Sequence, residues 1–343
     1  MKAKNISGQA PGGKRTKLAD VLPLDTPFLV QIFPIYACNF KCGYCIFSVR
    51  KQDRHFIADK TIMDFALFKR CVSDMENFPD KIKVLRFVGI GEPLLHKNLV
   101  DMVKYAVDKD IANTVEILTN GSLLSPLLSD SLVASGLSRL VVSLQGITAE
   151  KYEKISGVKI DIDSLRENLS YFYSSKKETH VYIKIVDTAL EGKKDEDKFY
   201  AMFGDVCDTI GIEYTVPIHT GVAFEGVLKE KNREVTQFGI PLTDVNICPQ
   251  PFFHMQINPD GKIVPCYSFE YPEILGDCNN EPVNEIWMGE KFQRFRRNML
   301  DGLVNTSEVC ENCNILKYRL FDNDLLDDDA ERLQKFYERD YNK

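Results

Sequence analysis

Long apolar runs are missing from this 343-residue chain: no stretch approaches the ~20 residues that a membrane helix requires. The basic first residues are not followed by an apolar segment of the kind that marks a secretory signal, so the cytoplasm is the expected compartment. A basic excess is missing too: the net charge is −7, which argues against a general nucleic-acid binder, so neither a nucleic-acid nor a membrane partner is expected. There is one tryptophan, Trp287, and no low-complexity block. With 44% apolar and 27% charged residues, the chain has material for one large α/β domain and a smaller one. The one basic cluster, Lys2, Lys4, Lys14, Arg15 and Lys17, lies among Gly, Pro and Ser and reads as a flexible solvated tail over residues 1–26.

Cysteine is plentiful by comparison. Ten cysteines in a chain expected in a reducing compartment point to metal binding rather than disulfides. Seven form two groups. Cys38, Cys42 and Cys45 fall within eight residues, directly after the apolar run 28–33. Three thiolates are one short of a closed tetrahedral zinc site. On a four-iron cubane they leave one iron open to a ligand that is not protein. The second group is Cys248, Cys266, Cys310 and Cys313. Its composition fits either zinc or an iron–sulfur cluster.

Between the two groups a strand–helix alternation repeats. Strands are predicted at 27–33, 81–88, 114–118, 139–143, 181–186 and 211–217, with helices at 62–77, 97–109, 125–135, 148–155, 163–174 and 195–208. Six such repeats predict a parallel sheet, either a partial barrel or an open doubly wound sheet. Chemistry then belongs at the carboxyl ends of the strands. The cysteine loop, Gly89-Ile-Gly91-Glu92-Pro93, Asn120-Gly121 and Ser143-Leu-Gln145-Gly146 all follow strands there. Residues 218–246 read as a connector and 247–320 as a small domain with a hairpin around Pro259-Asp260-Gly261 and a helix over 283–300. Residues 321–343, rich in aspartate, read as a solvated helix or tail.

CxxxCxxC after a first strand, with Gly91-Glu92-Pro93, Thr119-Asn120-Gly121 and Ser143-Leu-Gln145-Gly146 in register, resembles the radical S-adenosylmethionine (SAM) superfamily over about residues 27–217. The resemblance implies an α/β fold, a partial (β/α)6 TIM-like barrel. It implies a [4Fe–4S] cluster on Cys38, Cys42 and Cys45, with SAM chelating the open iron. By position, Gly89, Gly91, Glu92 and Pro93 would meet the methionine end of SAM, Ser143 and Gln145 the ribose, and Tyr44 the adenine, with Asn120 at the same mouth. Cys248, Gly261-x4-Cys266 and Cys310-x2-Cys313 are similar to the auxiliary-cluster extension called SPASM. No further cysteine follows Cys313, which fits its shortened form, twitch, with one auxiliary [4Fe–4S] cluster on an α+β domain. An external low-potential reductant such as a flavodoxin or ferredoxin is implied as a partner.

A small-molecule substrate is expected, with dehydrogenation of a sugar- or aminocyclitol-like alcohol as the sharpest version; peptide maturation or epimerisation is the alternative, and a zinc-stabilised binding module the non-enzymatic one. Lys184, Tyr214 and His219 are candidate substrate contacts, and Cys207 and Cys278 are candidate hydrogen-atom donors of the kind an epimerase needs.

Overall fold

A computed structural model describes residues 3–6, 15–50, 61–219, 221–267 and 270–339. Six parallel strands, β2 (Leu29–Ile32), β3 (Ile82–Phe87), β4 (Ala112–Thr119), β5 (Arg139–Leu144), β6 (His180–Val186) and β7 (Thr209–Glu213), pair in sequential order. After β2 they alternate with α1 (Phe65–Met75), α2 (Leu99–Asp108), α3 (Pro126–Ala134), α4 (Ala149–Ser156), α5 (Ile162–Ser175) and α6 (Lys193–Phe203). The protein is therefore a partial (β/α)6 barrel, with every predicted repeat present. The boundaries follow local chemistry. Asp64, Ser125, Thr148 and Asp161 each accept hydrogen bonds from the first-turn amides of α1, α3, α4 and α5. Gly157 ends α4 in the left-handed conformation, φ +70°.

Two departures from the sequence reading concern the edges. Part of the amino-terminal tail is structure: Lys4–Asn5 forms β1, parallel to β7. Downstream, Leu18 and Ala19 are buried, and Arg15 pairs with Asp324 while stacking on the Phe321 ring. Lys2 and Lys14 of the basic cluster lie outside the described residues. The other edge is extended as well. β8 (His254–Ile257) of the carboxy-terminal region pairs parallel with β2, in register Leu29 to His254. β9 (Lys262–Val264) and β10 (Gly276–Asp277) then follow antiparallel. One ten-stranded sheet, β1-β7-β6-β5-β4-β3-β2-β8-β9-β10, runs through both regions among the described residues.

The carboxy-terminal region also holds α7 (Gln250–Phe253), α8 (Val283–Met288), α9 (Glu290–Leu300), α10 (Leu303–Thr306), α11 (Glu308–Glu311), α12 (Asn314–Tyr318) and α13 (Ala330–Arg339). The helix predicted over 283–300 is two, because Gly289 takes an extended ψ of 161° between α8 and α9. Trp287 is fully buried, its indole N–H donating to the Leu24 carbonyl at 2.9 Å. The acidic end is not a solvated tail as far as it is described. α13 buries Leu333 and Tyr337, and Tyr337 meets Phe252 edge to face.

Candidate active site

The cysteine loop is held by α4. The amides of Lys41 and Gly43 donate to the carbonyls of Ser156 and Ile155 at 2.8 and 2.9 Å, using acceptors that a helix end leaves free. Phe40 is buried against Tyr152, edge to face. These contacts fix the segment carrying Cys38, Cys42 and Cys45. Cys42 is buried and its two companions partly so. Burial, and then the neighbouring thiols, push the Cys42 thiol well up; Cys38 is pushed up to about 11, first by burial, despite a bond from the Phe40 amide. Crowded sulfurs of this kind become thiolates only around a cationic centre, which suits an iron cluster.

The loop after β3 closes on the cysteine loop by backbone contact. A Cβ at Gly91 would lie 2.2 Å from the Ile35 carbonyl oxygen and 2.8 Å from that of Ala37. One at Gly89, where φ is +144°, would strike the Phe33 ring at 2.5 Å. Since Ile35 and Ala37 present backbone that cannot swing away, Gly91→Ala is expected to displace the loop. It should weaken SAM binding by more than ~10-fold, or about 1.4 kcal/mol, in calorimetry on the anaerobic holoprotein. Unchanged affinity would show that this approach is irrelevant to the cofactor.

Glu92, expected at the methionine end of SAM, turns its side chain inward. Its side chain is buried and spent inside the wall. Oε1 accepts from the Leu94 amide at 2.9 Å and the Thr119 hydroxyl at 2.7 Å, and Oε2 from the Asn120 amide at 2.7 Å. It therefore joins the loops after β3 and β4, and its carboxylate is taken up by the wall. Asn120 Nδ2 in turn donates to Asn39 Oδ1, three residues before Cys42, at 2.9 Å. Three loops are thereby tied at one mouth.

Beside Cys45 lies a cavity of about 170 Å³ bounded by Tyr44, Ser143, Lys184, Glu213, Tyr214, His219 and others. Gln145 Nε2 donates to the Ser143 carbonyl at 2.8 Å and lies 3.5 Å from the Tyr44 hydroxyl. The buried Gln145 Oε1 has no hydrogen-bond partner among the described residues. Ser143 and Tyr44, expected at the ribose and adenine, thus share one pocket with Cys45, while Gln145 meets both from behind its lining.

A second cavity, about 250 Å³, fills the barrel interior below. It shares Cys45, Lys184, Glu213, His219, Gln237 and Arg319 with the first and reaches down to Arg86, Arg139 and Tyr182. Lys184 Nζ and Gln237 Nε2 donate to Glu213 Oε2 at 2.5 and 2.6 Å. Deeper, Glu116 accepts from Arg86 Nε and, at 2.6 Å, from Arg139 Nη1. Burial, and secondarily the Arg319 guanidinium, push His219 down to about 3, leaving a neutral imidazole. Sequence reasoning named Lys184 and His219 here, but missed Arg86, Glu116, Arg139 and Glu213. Their signal was available: each is a charge set into a strand otherwise committed to the core.

Cys248, Cys266, Cys310 and Cys313 line a single apolar pocket with Pro251, Phe295, Met299 and Leu316 among its walls. Burial first, then the neighbouring Cys313, Cys266 and Cys310, hold the Cys248 thiol far above its ordinary range. Four cysteines lining one apolar pocket are a donor set that fits an auxiliary iron–sulfur cluster. Ile315 lines this pocket and the barrel cavity alike, so the two are immediate neighbours.

Cys207 and Cys278 are elsewhere. Cys207 precedes the amino end of β7, opposite the mouth, and its thiol donates to the Phe203 carbonyl at 3.2 Å. Cys278 is buried against Cys71 of α1. Neither lines the barrel cavity or the pocket beside Cys45.

Residues 32–199 match the radical SAM superfamily and residues 248–314 match SPASM, an iron–sulfur cluster-binding domain. The chain belongs to the radical SAM superfamily and carries a SPASM region; its cofactors are SAM, a SAM-binding [4Fe–4S] cluster and auxiliary iron–sulfur. Among characterised relatives, the tungsten-containing aldehyde ferredoxin oxidoreductase cofactor-modifying protein of Pyrococcus furiosus is 23% identical, covering 82% of this chain and 87% of its own length. The S-adenosyl-L-methionine-dependent 2-deoxy-scyllo-inosamine dehydrogenase of Niallia circulans is also 23% identical, covering 81% and 88%. Among solved structures, SuiB of Streptococcus suis bound to SAM superposes with a TM-score of 0.63 at 17% identity, over 88% of this chain and 74% of that one. BtrN bound to AdoMet and 2-DOIA gives 0.52 at 20% identity, over 84% and 92%. These likenesses establish the fold. No helix among the described residues is long and apolar enough to cross a membrane.

Proposed function

We propose that this radical SAM enzyme dehydrogenates a carbinol carbon of a small polyhydroxylated substrate held in the barrel cavity. The observation that carries this reading is the barrel cavity itself, which sets Lys184, Glu213, Gln237 and Arg139 among apolar walls and is bordered by Cys45 above and, through Ile315, by the auxiliary-cluster pocket at its side. At about 250 Å³ it suits a small metabolite better than a folded peptide segment. Cys38, Cys42 and Cys45 would hold the SAM-binding cluster, and Cys248, Cys266, Cys310 and Cys313 the auxiliary one. When bound, these groups supply reductive SAM cleavage to a hydrogen-abstracting 5′-deoxyadenosyl radical and a one-electron acceptor, with the first electron coming from an external low-potential reductant.

The chain's own residues position the substrate and manage its proton. Glu213 Oε2 is occupied by Lys184 and Gln237, which leaves Oε1 to take the hydroxyl proton as the carbonyl forms. Before that transfer Lys184 balances the charge of the Glu213 carboxylate and holds it in place. The barrel wall around them excludes water from the radical step. The dehydrogenase among the relatives supports this reading over peptide maturation. The test is a panel of polyols, amino sugars and sugar acids deuterated at successive carbinol carbons, incubated with reduced holoenzyme and SAM. One compound is expected to pass its label to 5′-deoxyadenosine and become a ketone or aldehyde; label transfer with an inverted alcohol as product would mean epimerisation instead.

A further inference from the structure

The floor of the barrel cavity holds more positive charge than its own partners neutralise. At that level two guanidiniums, Arg86 and Arg139, share the single carboxylate of Glu116. Burial raises the Glu116 carboxyl, and the two guanidiniums more than offset this, so it stays ionised and the trio carries one net positive charge. Higher up, Lys184 is matched by Glu213, and Arg319 adds a cation to the same lining. Arg139 is 6% exposed, and its Nε and Nη2 have no hydrogen-bond partner among the described residues. The neighbouring His180 is held below its usual range, by burial first and the Arg139 charge second, so it neither supplies an anion nor adds a cation near neutral pH. A buried guanidinium with two idle donors stands at a considerable desolvation penalty unless something accepts from it.

We propose that this floor is a binding subsite for an anionic group, a carboxylate or a phosphate, on the substrate. The proposal rests on the dehydrogenase reading above and narrows its substrate to a polyol acid or polyol phosphate. The Nε and Nη2 of Arg139 form the fork that binds two oxygens of such a group side by side. The strand geometry sets how far the charge sits from the reacting carbon. Arg139 and Val141 face the barrel cavity and Ser143 faces the nucleotide pocket, all on one face of β5. Lys184 is level with Ser143 across the β5–β6 pairing, whereas His180 is level with Arg139. Four residues of strand separate the two levels by roughly 13 Å, a height that the arginine side chain itself partly spans. The anionic group therefore lies several bonds from the carbon that loses hydrogen, a spacing that a six-carbon chain or ring with a terminal charge provides. A compound of that shape lowers its anion to Arg139 and presents its upper carbinol to Glu213.

Binding to the reconstituted, SAM-loaded but unreduced protein tests this without requiring turnover. Gluconate, glucose 6-phosphate and glucose serve as carboxylate, phosphate and neutral probes, titrated by calorimetry at matched ionic strength. At least one anion is expected to bind 10-fold or more tightly than glucose, and the stronger of the two identifies the group. Arg139→Gln, which leaves Glu116 paired with Arg86, should remove that preference while leaving glucose affinity unchanged. Should that variant fail to fold, Arg139→Lys keeps a cation for Glu116 but loses the fork, and should reduce the anion preference several-fold. Equal affinity for all three probes, no measurable binding of either anion, or a preference indifferent to Arg139 would overturn the subsite; ordered water would then be what serves the idle donors. Such a failure leaves the dehydrogenase reading standing, because label transfer to 5′-deoxyadenosine tests that independently.

Discussion

Replacing any one of Cys38, Cys42 and Cys45 with alanine is expected to abolish reductive SAM cleavage while leaving the fold intact. On the proposed assignment the three thiolates would be the whole protein ligand set of the SAM-binding cluster, which leaves no redundancy to absorb the loss. The scaffold, by contrast, does not depend on sulfur. The loop is pinned by the Lys41 and Gly43 amides on α4 and by the buried Phe40 ring, which stay in place in all three variants; only the Phe40 amide loses an acceptor, and only in Cys38→Ala. Each variant should show unchanged circular dichroism, an iron content reduced to that of the auxiliary site, and no 5′-deoxyadenosine above background. Retained cleavage in any one of them would mean that another side chain completes the cluster.

The second large effect concerns stability. Glu116→Ala should destabilise the protein by about 3–5 kcal/mol, the usual consequence of leaving buried cations without their partner. Glu116 is fully buried and receives both Arg86 and Arg139. Its loss strands two guanidiniums in the barrel floor, and chemical denaturation should show the midpoint falling sharply. The pH dependence has a definite sign. Burial raises the Glu116 carboxyl, but Arg86 and Arg139 outweigh it, and the net folded value is below the ordinary one. A depressed carboxyl contributes stability that is complete above the usual glutamate pKa of about 4.3 and is lost as pH falls through the folded value. The wild type should therefore lose stability in that acid range faster than Glu116→Ala does. A variant as stable as the wild type at neutral pH would show that the trio contributes little to the fold.

Much of this architecture was legible because alternating apolar strands and amphipathic helices repeat six times, and each repeat is a local pattern. Helix starts at Asp64, Ser125, Thr148 and Asp161 are equally local. What escaped the sequence depends on distant partners. Lys4–Asn5 is too short and too polar to read as a strand; it is one because the edge of β7 accepts it. The β2–β8 pairing joins residues more than two hundred positions apart and leaves no periodic trace. Gly289 interrupts a run that otherwise has helical spacing, and Leu333 and Tyr337, four apart, gave the one hint that the acidic end docks. In the site, clustered cysteines and glycines were readable as motifs. Arg86, Glu116, Arg139 and Glu213 form no motif; each shows only as a charge in an apolar strand, and which of them pair is decided when the barrel brings together partners twenty to thirty residues apart. Cys207 and Cys278 are the opposite case: reactive residue types that the fold packs into buried positions lining neither cavity.

The most direct test follows a carbinol deuteron through a single turnover in the wild type and in Cys310→Ala/Cys313→Ala. With a substrate identified from the deuterated panel, both proteins should place the label in 5′-deoxyadenosine, but only the wild type should release the carbonyl product. Carbonyl formation at the wild-type level without the auxiliary cysteines, or 5′-deoxyadenosine free of label in both proteins, would contradict a dehydrogenation carried out between two clusters.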